Sequence, residues 1–211
     1  MRLTTLLVAN AWMTAGALHA NLVCAQTTQQ TPSDIIQSAA QHTLTEMQSH
    51  RDAYRKDPSK VRPLVDKYLL PHFDTEYAAR LVLGQYWRTA NREQRKRFID
   101  AFYHSLLTNY GGALVEFTPD QLKVFPTTVD PSAEHATVRT EVTDRNADRI
   151  AMNYSMHMTP QGWKAYDVNI DGISYIKSYR EDFDARIQQR GLDSLIAHLE
   201  EGEKPNDLRW R

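Results

Sequence analysis

The segment R-I-A-M-N-Y-S-M-H-M, residues 149–158, establishes the fold class of this chain. Its larger apolar side chains alternate with small or polar ones, which is the period-two pattern of a half-buried β-strand. The apolar side is unusual, because it carries Met152, Tyr154, Met156 and Met158 instead of the Val, Ile and Leu that specify a tightly packed core. Methionine is flexible and adapts to irregular shapes. The strand therefore raises the question of what its soft apolar face packs against.

Three further segments with strand character surround this one. They are L-K-V-F (122–125), A-T-V-R-T-E-V-T (136–143) and G-W-K-A-Y-D-V-N-I (162–170). Short links rich in turn residues separate the strands, which favours an antiparallel meander. Helical periodicity dominates before and after them. The predicted fold class is α+β, a four-stranded antiparallel sheet packed against several helices with an apolar cavity between them.

Polar side chains mark where several of the helices begin. Thr31 precedes Pro32 and Asp34, Asp74 precedes a short apolar stripe, and Asn91 is followed three residues later by a glutamine. The longest helix is predicted to follow Asn91, because apolar residues recur there at every fourth position. These residues are Phe98, Phe102, Leu106, Tyr110 and Leu114.

The first 25 residues have the pattern of a signal peptide. Arg2 precedes an apolar run too short to span a bilayer, and V-C-A ends at Ala25 with small residues at the positions that a signal peptidase reads. We expect cleavage before Gln26, with a weaker alternative site at 18–20. Cys24 also allows a lipoprotein reading, although Val23 is large for such a site. If Ala25 is the last residue removed, the only cysteine is lost, which excludes a disulfide framework and a Cys-ligated metal.

The remaining chemistry gives little support for catalysis or for nucleic-acid binding. The formal net charge is −1, which argues against a nucleic-acid partner. No G-x-S-x-G, phosphate loop, dinucleotide glycine pattern or H-E-x-x-H occurs, and the eight histidines show no metal-binding spacing. His157 and Asp167 form a conceivable acid–base pair on adjacent strands. The alternation, however, places His157 opposite the methionines, where we expect solvent. No catalytic residue and no metal ligand is predicted.

The densest basic cluster is R-E-Q-R-K-R, residues 92–97. One interpretation is that it forms the solvated first turns of a helix whose apolar face lies elsewhere. The other is that Arg92, Arg95, Lys96 and Arg97 form a docking patch for an acidic partner or a lipid phosphate. Basic charge near a helix N-terminus is electrostatically unfavourable, which mildly favours the docking interpretation.

Two segments, 81–98 and 162–183, resemble the toluene-tolerance family of MlaC-type periplasmic phospholipid-binding proteins. The signatures L-G-x-Y-W-R and G-W-K-x-Y-D-V…G-I-S…Y-R carry the resemblance, and Asp171 stands where glutamate is more frequent. The resemblance implies that residues 26–211 form one lipid-binding domain without a cofactor, a monomer that carries phospholipid through the periplasm. It implies exchange with an outer-membrane lipoprotein–porin complex and an inner-membrane ABC-type lipid transporter complex, which maintains outer-membrane lipid asymmetry.

The resemblance also places acyl chains in the cavity between sheet and helices, with the head group outside. On that basis we predict that Met152, Tyr154 and Met156 face the aromatic side of the longest helix across the chains. The predicted lining is Val65, Leu69, Tyr77, Leu81, Phe98, Phe102, Leu106, Tyr110, Met152, Tyr154, Met156, Val168, Ile170, Ile173 and Tyr179. An enzyme with an acid–base site in an apolar cavity and a periplasmic chaperone remain the alternative functions.

Overall fold

The computed structural model describes residues 30–202, so the predicted signal peptide, residues 1–25, lies outside the described part. Helices come first, followed by one sheet and then by two more helices. In chain order they are α1 (Pro32–Ser49), α2 (Arg51–Lys56), α3 (Val61–Tyr68), α4 (Thr75–Leu83), α5 (Tyr86–Thr89), α6 (Arg92–Leu114), β1 (Leu122–Val124), β2 (His135–Thr143), β3 (Arg149–Thr159), β4 (Gly162–Ile170), β5 (Ile173–Ser174), α7 (Tyr175–Arg190) and α8 (Leu192–Glu200). Within residues 30–202, no helix is long and apolar enough to cross a bilayer.

The helix starts predicted from the sequence are confirmed. At α1 the Thr31 hydroxyl accepts the N–H of Asp34 at 3.2 Å, and the Asp34 carboxylate accepts the N–H of Thr31. Asn91 and Gln94 form the same reciprocal pair at α6. Asp74 accepts an N–H from the first turn of α4 at 2.9 Å. Each such cap stabilises its helix by about 1 kcal/mol.

The α+β class and the antiparallel meander are confirmed, but the sheet has five strands, in the order β1-β2-β3-β4-β5, and the predicted count of four is wrong. The fifth strand is Ile173-Ser174, which the helical pattern had assigned to the start of α7. Asp171 and Gly172 both adopt positive φ, 50° and 87°, and so form a tight two-residue turn. That turn brings β5 back against the end of β4 before the helix begins.

Cross-strand pairing fixes which side chains share a face of the sheet. Met152 pairs with Thr140 and Ile170, and Tyr154 pairs with Val138 and Val168. Directly paired residues project to the same side. The resulting inner face contains Val138, Thr140, Met152, Tyr154, Met156, Met158, Trp163, Ala165, Val168 and Ile170. A β-bulge next to Met156 leaves one extra residue in β4 and keeps Trp163 and Ala165 on this face.

The buried apolar residues form three separate clusters. The helical core contains Ala79, Val82, Leu83, Phe98, Ala101, Phe102, Tyr179, Phe183, Ile187, Leu195, Ile196 and Leu199. The sheet core contains Ile35, Ile36, Val138, Met156, Trp163 and Ala165. The α1–α3 core contains Met47, Val61, Leu64, Val65 and Val115. A domain of this size usually has one contiguous core, so the separation indicates that the sheet and the helices do not meet along their whole length.

Candidate functional site

Helix α6 has an apolar arc whose centre is not fully buried. Successive residues of an α-helix are rotated by about 100° about its axis. Leu106 and Tyr110 therefore project from a side of α6 that lies between two packed sides. On one flank, Phe98 and Ser105 are fully buried, at 0% exposure. On the other flank, Leu107 packs against the α1–α3 core. The centre of an apolar arc should be its most buried part, yet both Leu106 and Tyr110 are only half-buried. Leu106 packs against the edge of the helical core, and both side chains keep part of their surface accessible.

The inner face of the sheet shows the same incomplete burial, and it is graded along the strands. Met156, towards one end, is 0% exposed. Tyr154 and Met152 follow on the central strand and are half-buried. At the far end, Ile173 pairs with Ile170 and is 56% exposed. On β3, β4 and β5 the inner face is thus covered at Met156 and exposed at Ile173, whereas the β2 residues Val138, Thr140 and Val142 are all buried.

Tyr154 shows that the middle of this face is deep and yet accessible. Burial raises the pKa of its phenol to about 12, because the ionised form is poorly solvated there. Its hydroxyl donates to the sulfur of Met152 at 3.1 Å. The side chain nevertheless keeps part of its surface accessible. A side chain that is surrounded by protein but still partly accessible to solvent is expected on the wall of an internal cavity.

The two incompletely buried surfaces meet at the open end. The ring of Tyr110 lies 6.1 Å from that of Tyr175, and Tyr175 directly follows β5. Strand β5 pairs with β4 at Ile170, which in turn pairs with Met152. We call the incompletely covered region between these surfaces the gap. Its half-buried residues are Leu106, Tyr110, Met152, Tyr154, Val168 and Ile170.

The closed end of the gap involves residues that the sequence analysis did not assign to it. Ile35 and Ile36 of α1 belong to the same buried cluster as Met156 and Trp163, and Phe73 packs against that cluster. The apolar stripe of α1 was visible in the sequence, but its partner surface was not. Only the antiparallel register shows that this stripe covers the end of the methionine face.

Several residues of the predicted lining lie in filled cores instead. The ring of Phe98 lies 5.5 Å from that of Phe102 and contacts Phe183 at 5.9 Å. Tyr179 is buried in the same helical core. Phe98 and Met156 belong to separate clusters, so the predicted arrangement in which they face each other is not observed. Val65 and Leu69 likewise lie in or against the α1–α3 core.

Tyr77 lies on the outer face of the sheet. Its ring is 4.4 Å from that of His157 and 5.1 Å from that of Tyr166, so it does not join the methionine stripe. Leu81, from the same helix, is half-buried and its carbonyl accepts a hydrogen bond from Arg180. Neither residue borders the gap as we have defined it.

The prediction that His157 faces solvent is wrong. Its side chain is only 14% exposed, and its Nε2 lies 3.0 Å from a carboxylate oxygen of Asp74. Asp167, the acid proposed for an acid–base pair, accepts hydrogen bonds from Ser174 and from the backbone N–H of Ile176 instead. The pair is not formed, and His157 lies on the face away from the gap. Within residues 30–202, no group of three His, Cys, Asp or Glu is placed to hold a metal ion.

The basic cluster at the start of α6 divides into engaged and outward-facing residues. Arg95 donates to the carbonyl of Trp87 at 2.9 Å and lies over its ring. Arg97 forms a bidentate pair with Glu200, at 2.9 and 2.7 Å. Arg92 and Lys96 are exposed. Two of the four predicted docking residues therefore hold α6 to its neighbours, and two remain at the surface.

The fold and the gap define a class of protein, an α+β domain with an incompletely filled apolar space between its sheet and its helices. A family model described as MlaC protein matches residues 37–201. The chain belongs to the MlaC family.

The proteins similar to this chain include two relatives and a solved structure. The toluene tolerance protein ttg2D of Pseudomonas putida is 28% identical over 165 residues, covering 78% of this chain and 76% of the relative. The intermembrane phospholipid transport system binding protein MlaC of Haemophilus influenzae is 24% identical over 173 residues, covering 81% of each. The phospholipid-binding protein from Ralstonia solanacearum, solved in complex with a phospholipid, has a TM-score of 0.76 and 26% identity, covering 82% of this chain and 97% of the other.

Proposed function

We propose that this protein is a non-catalytic phospholipid carrier of the periplasm, which holds acyl chains in the gap and leaves the head group at the open end beside Ile173. The observation that carries the proposal is the incomplete burial of Leu106 and Tyr110 at the centre of an apolar arc, together with that of Met152 and Tyr154 on the inner face. Methionine side chains are conformationally adaptable and tyrosine rings are flat, so both can pack against acyl chains of varying length and unsaturation.

The relatives support the same function. One is named as a binding protein of an intermembrane phospholipid transport system, and the structure with a TM-score of 0.76 was solved with a phospholipid. The described residues also lack the acid–base pair that the rival enzyme would use, because His157 and Asp167 have other partners on the outer face.

A free-energy argument constrains how such a carrier unloads. Two acyl chains carry about 30 methylenes, and each costs about 0.8 kcal/mol to transfer to water. Release into the aqueous periplasm would therefore cost on the order of 20 kcal/mol. Hand-over must take place while the carrier is docked on a partner that shields the chains.

We propose that these partners are an outer-membrane lipoprotein–porin complex and an inner-membrane ABC-type lipid transporter complex, and that exchange between them maintains outer-membrane lipid asymmetry. A bilayer buries the chains about as well as the carrier does, so the partners and their energy source set the direction. Arg92 and Lys96, the outward-facing residues of the basic cluster, are the proposed docking contacts. A monomer suffices for this cycle. Equal unloading rates with and without these complexes would contradict it.

The test of the proposed function is chemical analysis of what the protein carries. The mature protein is purified without detergent, extracted with organic solvent and analysed by mass spectrometry against a protein concentration measured in parallel. Near-stoichiometric phospholipid is expected. A small metabolite in its place would support the apolar-cavity enzyme, and an extract without ligand would support the chaperone.

A space-filling variant tests whether the gap is the site. Leu106→Trp adds bulk where Leu106 is half-buried, so we expect the free energy of unfolding to change by less than about 1 kcal/mol while phospholipid content falls sharply. Phe102→Trp is the matched control, because Phe102 lies in the filled helical core, where overpacking typically costs about 1–3 kcal/mol. Unchanged phospholipid content in a folded Leu106→Trp protein would place the lipid elsewhere.

A further inference from the structure

A cluster of tyrosines lies at the open end of the gap. The rings of Tyr110 and Tyr175 are 6.1 Å apart, and those of Tyr175 and Tyr179 are 5.9 Å apart, both in edge-to-face geometry. Tyr175 directly follows β5, so the cluster lies next to Ile173, where the inner face is most exposed. Aromatic rings with polar tips are common where an apolar site meets water.

The hydroxyls of Tyr179 and Tyr110 are arranged in series. Tyr179 is buried, and its hydroxyl donates to the hydroxyl of Tyr110 at 3.2 Å. Burial, followed by the bond to Tyr110, raises the pKa of Tyr179, so it remains a protonated donor at physiological pH. A phenol has one proton to donate. Since Tyr110 accepts from Tyr179, its own O–H is left to donate, and among residues 30–202 the structure shows no acceptor for it.

We propose that the Tyr110 hydroxyl donates a hydrogen bond to an oxygen of the glycerophosphate part of the bound lipid, and that Tyr179 holds it in that orientation. This inference rests on the proposed carrier function and adds the residue that recognises the polar end of the cargo. Phosphodiester and ester oxygens are acceptors only, which matches a site that offers a lone O–H. In this proposal the chain ends point towards the fully buried Met156, and the glycerol lies near Tyr110.

Two probes separate polar recognition from chain burial. Diphenylhexatriene is a hydrocarbon without an acceptor, and it reports occupancy of the gap by fluorescence. Its displacement by dioctanoyl phosphatidylglycerol gives the affinity for a lipid with phosphate and ester oxygens. Displacement by dioctanoylglycerol gives the affinity for a lipid with the two esters and a free hydroxyl but no phosphate. The ratio of lipid to hydrocarbon affinity cancels any difference in the folded fraction between variants.

We expect Tyr110→Phe to lower that ratio for phosphatidylglycerol by about three- to tenfold, the effect of one hydrogen bond, while the affinity for diphenylhexatriene stays unchanged. An equal loss with dioctanoylglycerol shows that the hydrogen bond does not require the phosphate, and a loss with phosphatidylglycerol alone identifies the phosphate. Tyr179→Phe keeps the donor but removes its orienting partner, so we expect a smaller loss of the ratio.

Tyr103→Phe is the control, since it deletes the same group from the same helix at a hydroxyl that donates to Asp66 on the outside of α6. If the ratio in Tyr110→Phe lies within twofold of that in Tyr103→Phe, the recognition by Tyr110 is refuted and the carrier function stands. All binding measurements use protein from which the co-purified lipid has been removed. If this lipid-free wild-type protein folds but binds neither probe, the carrier function itself fails.

Discussion

The helical core and the gap are two apolar regions that share the helix α6 but differ in how completely they are filled. In the helical core, the rings of Phe98, Phe102 and Phe183 lie within 5.5–5.9 Å of one another. One and two turns beyond Phe102 on the same helix, Leu106 and Tyr110 are only half-buried. An apolar side of a helix therefore marks where water is excluded, whereas the packing of distant elements determines how completely protein covers it.

The largest expected difference between the two regions is the cost of removing a side chain. Phe98→Ala deletes a fully buried ring, and we expect it to lower the free energy of unfolding by about 3–5 kcal/mol. Leu106→Ala should cost the ligand-free protein only about 1 kcal/mol, because Leu106 is half-buried at the edge of the helical core. Urea denaturation of both variants measures the contrast. A cost for Leu106→Ala that matches Phe98→Ala would mean that the gap is filled.

Alkaline denaturation tests how deep Tyr154 lies on the wall of the gap. Its pKa in the folded protein is about 12, above the ordinary value of 10.0. The stabilisation from keeping it neutral is therefore fully present below pH 10 and is lost as the pH rises towards 12. One pKa unit corresponds to about 1.4 kcal/mol. Between pH 10 and pH 12, the free energy of unfolding of the wild type should therefore fall by about 2–3 kcal/mol more than that of Tyr154→Phe. Identical pH profiles for the two proteins would indicate a solvated Tyr154.

The closed end of the gap depends on α1, whose first turn is held by the Thr31 cap. Thr31→Ala removes the hydroxyl that accepts the N–H of Asp34, and we expect it to lower the free energy of unfolding by about 1 kcal/mol. Thr31→Ser is the matched control, because it keeps the accepting oxygen. If Ala and Ser destabilise equally, the cap does not contribute as described.

The smallest effect on stability is expected at the surface, away from both regions. Arg92→Ser combined with Lys96→Ser changes exposed positions, so the free energy of unfolding should stay within about 0.5 kcal/mol of the wild type. If these residues dock on a membrane partner, lipid transfer should slow several-fold at low salt and less at high salt. Glu93→Ser is the control at the same exposed turn. Transfer rates that equal those of the control would rule out the docking role.

The sequence predicted local structure well because local structure depends on near neighbours. The capping pairs at Thr31 and Asn91, the period-two pattern of 149–158 and the meander are all confirmed. The fifth strand was missed for two reasons. Two residues are too few to show the period-two alternation of a strand, and Asp171-Gly172 was interpreted as a helix boundary. The solvent exposure of His157 was predicted wrongly. Alternation shows on which face of the strand a side chain lies, but not that Tyr77 and Asp74 cover that face.

The fold class, the family signatures and the apolar side of each helix and strand follow from the amino-acid sequence alone. The three-dimensional packing was needed to show that Phe98 lies in a filled core, that Ile35 and Ile36 cover the Met156 end, and that Leu106 and Tyr110 stay half-buried. The physical reason is that periodicity records the side of an element that avoids water. The volume enclosed between two such sides depends on contacts between residues far apart in the chain.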